Sequence, residues 1–376
     1  MKFEEFKPGR LAQRYQYKSF TPTQVNHEWT WESPAINTLL EQAVRALAEL
    51  DAFSLIVPDI DLFIYMHVLK EANNSSRIEG TQTDLGEDLL DKELVAPEKR
   101  DDWQEVQNYV QAMHEAIEGL KTLPLSSRLL RKTHETLLSG VRGEHRTPGE
   151  YRRSQNWIGG ASLKDAVFIP PTHEEVPELM ADLERFWHNE NIQVPDLIRA
   201  AISHYQFETI HPFLDGNGRI GRLLITLYLI DKGLLVKPSL YLSDYLGRHK
   251  GEYYDALTTA RTGDLSHWVS FLLLAVRETG RKGKETFGKI LALRKDVEAR
   301  VQTLGKRAHN GVKLLSVLYK RPLLTANQVA QALKVSVPTA NSLVADFQEL
   351  GILTETTGNR RYREYAFGAY YKLFLS

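Results

Sequence analysis

The chain has 376 residues, 42% of them hydrophobic and 25% charged, with a formal net charge of −1 and no cysteine. That length suits two or three domains of about 100–200 residues each, and the near-zero charge supplies no global field for nucleic acid or membrane. Absence of cysteine excludes disulfides, thiolate metal sites and cysteine nucleophiles, and it fits a reducing compartment.

In chain order, the N-terminus MKFEEFKPGR is charged and has no apolar signal core. Residues 1–30 carry few periodic apolar positions and predict an irregular surface arm. From Ser33, INTLLEQAVRALAELDAF spaces its apolar residues at three and four, which predicts a helix. A second helix follows Pro58 from near Asp59 through IDLFIYMHVLKEANNSSRIEG. Further helices are expected over Asp101–Leu120 and over SSRLLRKTHETLLSG, the latter stopped by Gly140. The stretch RTPGEYRRSQNWIGGASLKDAVFIPPT, with its prolines and paired glycines, predicts a loop and a small hairpin with a short AVFI strand. Helices resume at EEVPELMADLERFWH and PDLIRAAISHYQFETI, lead into HPFLDGNGRIGR and continue as LLITLYLIDKG. GEYYDALTTARTG and SHWVSFLLLAVRETGRKGKETFGKILALRKDVEARVQTL are helical again. The apolar runs LLITLYLI and WVSFLLLAV fall short of the ~20 residues a spanning helix needs, so the expected location is cytoplasmic, with no membrane partner.

Residues 305–376 differ in charge: ten Lys or Arg against four acids give +6. GVKLLSVLYKR predicts one helix, Thr325 caps a second (ANQVAQALK) and Ser336 caps a third (VPTANSLVADFQEL) that Gly351 closes. ILTETTGNRRYREYAF reads as two strands around a turn. Three helices and a hairpin make a winged helix-turn-helix. Arg360, Arg361 and Arg363 suit phosphate contacts with DNA, whereas the third helix has no Lys or Arg and carries Asp346 and Glu349. The fold class expected is therefore mainly α: a helical bundle with a small β-hairpin, followed by a winged helix-turn-helix. Domains are expected at 1–115 (arm and first helices), 116–304 (catalytic core) and 305–376.

The segment HPFLDGNGRIGR, residues 211–222, concentrates polar chemistry beside an apolar helix. Pro212 blocks helix, Gly216 and Gly218 permit tight backbone, and a helix begins near Asn217. Free amides at such a start form an anion site. Arg219 and Arg222 are three apart and share a face, so a polyphosphate fits better than one carboxylate. Asp215 would repel those phosphates unless a divalent cation intervened, and magnesium held by one carboxylate and phosphate oxygens is the usual arrangement. His211 is then the candidate general base.

These residues match the signature of the Fic family, His-Pro-Phe-x-Asp/Glu-Gly-Asn-Gly-Arg-x-x-Arg, at every position. The resemblance implies a helical core that transfers AMP from ATP to a hydroxyl (Ser, Thr or Tyr) of a target protein or of the chain itself. In that reading His211 deprotonates the hydroxyl and Asp215 binds Mg2+. Gly216, Asn217, Gly218, Arg219, Ile220, Gly221 and Arg222 form the phosphate-binding set. The family's inhibitory motif is matched by Ser75-x-x-x-Glu79-Gly80, which implies that Glu79 pairs with Arg222 while Ser75 helps hold that helix in place. The hairpin at NWIGGASLKDAVFIPP resembles the family's flap, which pairs with an extended segment of the target. Tyr253 and Tyr254 resemble the family's adjacent tyrosines on the adenine side. Seven residues after Tyr254 many members have Asn and this chain has Arg261, placed with Tyr254 among the nucleotide-binding residues.

Two other classes stay open: a DNA-binding regulator whose nucleotide-binding body acts as a sensor, and a Fic enzyme that removes AMP or transfers another phosphate-linked group. A homodimer and DNA binding through the last domain also stay open as partners.

Overall fold

The computed structural model describes residues 1–57, 59–358 and 363–375. The first thirty residues correct the expectation of an irregular surface arm. They form an antiparallel hairpin of β1 (Gly9–Gln13) and β2 (Lys18–Pro22), and they bury Phe3, Phe6, Val25 and Trp29. These apolar groups sit in coil and bury one at a time, so no period announces them. The Trp29 indole donates to Val25 O at 3.0 Å, and Val25 N–H donates to Asp182 at 2.7 Å.

Among the described residues, eleven α-helices build the body. They are α1 (Pro34–Ile56), α2 (Ile60–Glu79), α3 (Leu85–Asp88), α4 (Arg100–Leu120), α5 (Ser127–Leu137), α6 (Val176–His188), α7 (Asp196–Ile210), α8 (Asn217–Asp231), α9 (Leu242–Arg248), α10 (Lys250–Arg261) and α11 (Leu265–Gln302). Helix α4 runs across residue 115, and α11 carries the chain to the C-terminal module. Helices α1 and α11 pack along each other, with Gly280 against Ala46, where a Cβ would stand 3.0 Å from the Ala46 carbonyl oxygen.

Helices α7 and α8 form the centre. Every residue of α7 from Leu197 to Ile210 is buried, including Arg199, His204, Gln206, Glu208 and Thr209. A helix buried all round must satisfy its polar groups internally. Arg199 donates to Phe186 O at 2.6 Å, Gln206 to Thr23 O at 3.1 Å and Thr209 to Tyr205 O at 2.8 Å. The expected hairpin near 157–169 is reduced to one antiparallel bridge between Ile158 and Phe168, so AVFI is not a strand. Its two glycines, Gly159 and Gly160, have φ of 69° and 72°, and they turn the chain.

The last module contains α12 (Ala308–Lys320), β3 (Leu323–Thr325), α13 (Ala326–Leu333), α14 (Val337–Glu349), β4 (Thr354–Glu355), β5 (Glu364–Ala366) and α15 (Gly368–Leu375). Thr325 and Ser336 cap α13 and α14 through their side chains. The sheet order is β3-β5-β4, with β5 antiparallel to both neighbours, which gives the helix and strand order of a winged helix-turn-helix. Strand β3 and helix α15 go beyond the sequence expectation. Arg360 and Arg361, on which the DNA reading rests, lie outside the described residues. In α14, Asp346 is engaged by Arg307 at 2.6 Å. Among the described residues no helix is long and apolar enough to cross a membrane.

Candidate active site

Helix α7 ends at His211, which takes left-handed backbone (φ 50°, ψ 62°) and caps the helix through its N–H to Phe207 O at 2.9 Å. That conformation strains a non-glycine residue, so the surroundings must hold it. Arg152, 2% exposed, does so with its guanidinium: it donates to His211 O at 3.0 Å, Ile210 O at 3.3 Å and Pro171 O at 2.5 Å. Asn156 donates to His211 O at 3.2 Å and Phe213 O at 2.8 Å. Below the loop, His134 stacks on Phe213 with centroids 3.8 Å apart. Its Nδ1 accepts from Gly149 N–H at 2.9 Å, which leaves Nε2–H for Asp215 O at 3.0 Å. Sequence reasoning missed all three. Their contacts span tens of residues, and the only local signal is RRSQN just before the flap.

Helix α8 then begins, with Gly216 at φ 72° as its N-cap. Ile220 N–H makes the first backbone bond, to Gly216 O at 3.0 Å, so the amides of Asn217, Gly218 and Arg219 precede the helical ladder and carry its positive end. Asn217 was expected to act on phosphate. Its side-chain amide closes the loop instead, accepting from Phe213 N–H and donating to Phe213 O, both at 2.8 Å. Gly221 and Ile220 are buried: Gly221 O receives His204 Nδ1 at 2.8 Å, and Ile220 belongs to the apolar core.

The two arginines are both paired. Arg219 meets Glu105 of α4 at 2.8 Å, inside the body. Arg222, whose side chain is 1% exposed, donates Nε to Ser75 Oγ at 2.8 Å and one terminal nitrogen to Ser75 O at 2.9 Å and Glu79 Oε1 at 2.6 Å. Burial works against charge on Glu79, and the Arg222 guanidinium outweighs it, holding the carboxyl below its usual range. The same pairing raises Arg222 against the effect of burial.

Above these groups lies a cleft of about 260 Å³ lined by Glu79, Trp157, Ile158, Gly159, Glu208, His211, Gly218, Arg222, Tyr253, Tyr254, Leu257 and Arg261. His211 faces it with its pKa pushed down to about 3, by burial first and then by the Arg261 and Arg152 cations. The imidazole is therefore neutral and able to accept a proton. Glu208, buried and raised by burial to about 7, lies 3.9 Å from His211 Nδ1. Tyr254 is 40% exposed at the rim, while Tyr253 is buried and bonds His204 Nε2 at 2.9 Å. Arg261 lies under the flap rather than along the phosphate helix: its guanidinium is 4.1 Å from the Phe168 ring centroid. Asp215, with 46% of its side chain exposed, holds Gly216 N–H at 2.6 Å. One half-exposed carboxylate beside a phosphate-binding helix start fits a magnesium ion that takes its other ligands from phosphate and water.

A neutral, half-buried histidine precedes a helix start with free amides and two buried arginines, an arrangement whose chemistry suits phosphate. Residues 37–118 match the model of the Fic/DOC family N-terminal region and residues 124–229 that of the Fic/DOC family, together half of the chain. The chain belongs to the Fic/DOC family. It is 33% identical over 132 residues to a protein adenylyltransferase Fic of Drosophila erecta, covering 35% of this chain and 24% of the fly protein. It is 31% identical over 207 residues to protein adenylyltransferase fic-1 of Caenorhabditis briggsae, covering 52% of this chain and 37% of the worm protein. The chain thus spans about a quarter to a little over a third of these relatives. The crystal structure of a Fic family protein from Desulfovibrio desulfuricans superposes with a TM-score of 0.57 at 25% identity, over 92% of this chain and 98% of that one. Fic-1 of Caenorhabditis elegans, at 23% identity and a TM-score of 0.51 over 70% of this chain and 75% of that one, shares the fold.

Proposed function

We propose that the chain transfers AMP from ATP to a hydroxyl of a protein, its own Ser, Thr or Tyr side chains included, and that Glu79 holds this activity down. The observation that carries the reading is the neutral His211 beside the free start of α8, with Arg222 engaged by Glu79. In the reaction the acceptor hydroxyl gives its proton to the His211 imidazole, its oxygen bonds to the α-phosphorus of ATP, and the bond to the β-phosphate oxygen breaks to release pyrophosphate. The amides of α8 and Arg222, once released from Glu79, neutralise the phosphate charge, whereas Arg219 stays paired with Glu105 inside the body. Magnesium, held by Asp215 and phosphate oxygens, would supply further charge neutralisation. With Arg222 held by Glu79, a negative carboxylate stands where the distal phosphate belongs, and ATP sits badly for transfer. Incubation of the Glu79→Gly variant with α-labelled ATP and magnesium tests this: label on protein supports transfer, and label confined to free nucleotide opposes it.

The depressed His211 pKa sets a pH expectation. A base must be neutral, and a pKa near 3 keeps it so on the acid side of neutrality. In Glu79→Gly/Glu208→Gln, which removes the neighbouring carboxyl raised to about 7, kcat/KM for ATP should change by no more than about twofold from roughly pH 7 down to 5.5. A base with the ordinary pKa near 6.5 would lose roughly tenfold over that window, and such a loss would contradict the assignment.

A further inference from the structure

Arg261 occupies a position that resemblance places on the nucleotide side and it lines the cleft, but its hydrogen bonds and its ring contact go to the end of α7 and to Phe168. Its guanidinium faces the Phe168 ring at 4.1 Å, and its nitrogens donate to Thr209 Oγ1 at 3.3 Å and Glu208 O at 3.1 Å. The last two belong to the final turn of α7, which ends at His211. Phe168 pairs with Ile158 across the flap, and on its other side the Phe20 ring lies 5.5 Å away, with Phe20 N–H donating to Ile169 O at 2.9 Å. The outer edge of the flap is thus held by the N-terminal hairpin, and Phe168 is gripped between Phe20 and a cation fixed to the catalytic turn. Trp157, Ile158 and Gly159 of the inner edge line the cleft. Planar Arg suits this post because it stacks and donates at once.

We propose that Arg261 is a positioning residue for the acceptor rather than a nucleotide ligand: through Phe168 it fixes the inner flap edge, where an extended segment of the acceptor protein would pair, relative to His211. The inference rests on the transfer reading for its acceptor, but not for the flap contact itself. The test uses the full chain carrying Glu79→Gly, with Arg261→Ala, Arg261→Lys, Phe168→Ala and the Arg261→Ala/Phe168→Ala double variant. In Arg261→Ala the amides of Ile158 and Phe168, which form the bridge, should exchange hydrogen at least about tenfold faster. The KM for ATP should stay within about twofold, and the maximal rate of self-labelling should fall roughly 3- to 10-fold. Arg261→Lys should recover part of the loss, and the double variant should lose no more than the worse single one. Unchanged exchange, or a KM for ATP raised tenfold, overturns the assignment. If Glu79→Gly labels nothing at all, transfer has failed while the exchange measurement still decides the flap.

The C-terminal module is seated on the helix that carries Glu79. Phe63, near the start of α2, contacts Tyr319 of α12 and Tyr370 of α15 with ring centroids 4.8 and 6.2 Å apart. His67, one turn on, meets Phe374 at 4.8 Å. All five rings are buried. Arg321 and Gln328 add bonds to Asp91 at 2.8 and 2.6 Å. The other end of α2, about 24 Å away at 1.5 Å per residue, holds Ser75 and Glu79 against Arg222. A continuous helix transmits displacement as a rigid element.

We infer that the C-terminal module sets the position of α2 and hence the grip of Glu79 on Arg222, an inference that rests on the inhibitory reading. Asp91→Ala, Tyr370→Ala and Phe374→Ala are to be placed in wild type and in Glu79→Gly. The exposed Asp91 gives a variant that spares the core. Self-labelling should rise roughly 3- to 10-fold in wild type and change by less than about twofold in Glu79→Gly. No rise in wild type for any of the three, or equal rises in both backgrounds, overturns the coupling. Equal activity of wild type and Glu79→Gly instead removes the inhibitory reading itself.

Discussion

Glu79→Gly should raise self-labelling by about 10- to 100-fold over wild type. The carboxylate makes a charge-assisted bond to Arg222 at 2.6 Å, a class of contact worth about 1.5–3 kcal/mol, and each 1.4 kcal/mol is a factor of ten. Removing it frees a guanidinium that is otherwise buried and held by Ser75. The fold should survive, because Glu79 is the last residue of α2 and Gly80 already terminates it in left-handed backbone. Arg222→Ala in the same background should cancel the gain. A labelled-AMP assay on wild type, Glu79→Gly and the double variant reads both effects. A double variant as active as Glu79→Gly alone would make Arg222 the wrong partner.

The second large effect is loss of the base. His211→Ala in the Glu79→Gly background should lower the transfer rate by about 10²–10⁴-fold while the Kd for ATP moves by less than about threefold. The phosphate-binding parts, the α8 amides with Arg222, do not depend on the imidazole. The loop should also keep its shape, since Arg152 and Asn156 hold the backbone of residue 211 through its carbonyl oxygen. Equilibrium ATP binding measured beside single-turnover transfer separates the two effects. Near-wild-type transfer by the alanine variant would take His211 out of the proton step.

How far the sequence carried these conclusions depends on where each constraint lives. Helices α1, α2, α4 and α11 were legible because their apolar residues keep one spacing over five or more turns. The caps Thr325 and Ser336 are local chemistry and could be read in place. The catalytic loop was legible because a histidine, a carboxylate and two arginines fall within twelve residues at a helix start. The N-terminal hairpin was not: Phe3, Phe6 and Trp29 bury singly, with no period to betray them. The same holds for α15, whose eight residues owe their burial to α2 and α11. Within the site, Arg152, Asn156, His134, Glu105 and Glu208 act through contacts made only when the chain closes. Arg261 is the instructive case, since chain position suggested nucleotide and its neighbours Phe168 and Thr209 point to the flap.

The central claim, AMP transfer by His211 restrained by Glu79, is tested most directly by the intact mass of the purified chain after incubation with ATP and magnesium. The account predicts that Glu79→Gly gains mass in whole AMP units, that wild type gains far less, and that Glu79→Gly/His211→Ala gains none. No adduct on Glu79→Gly, an adduct of bare phosphate, or AMP on the variant lacking His211 would contradict it.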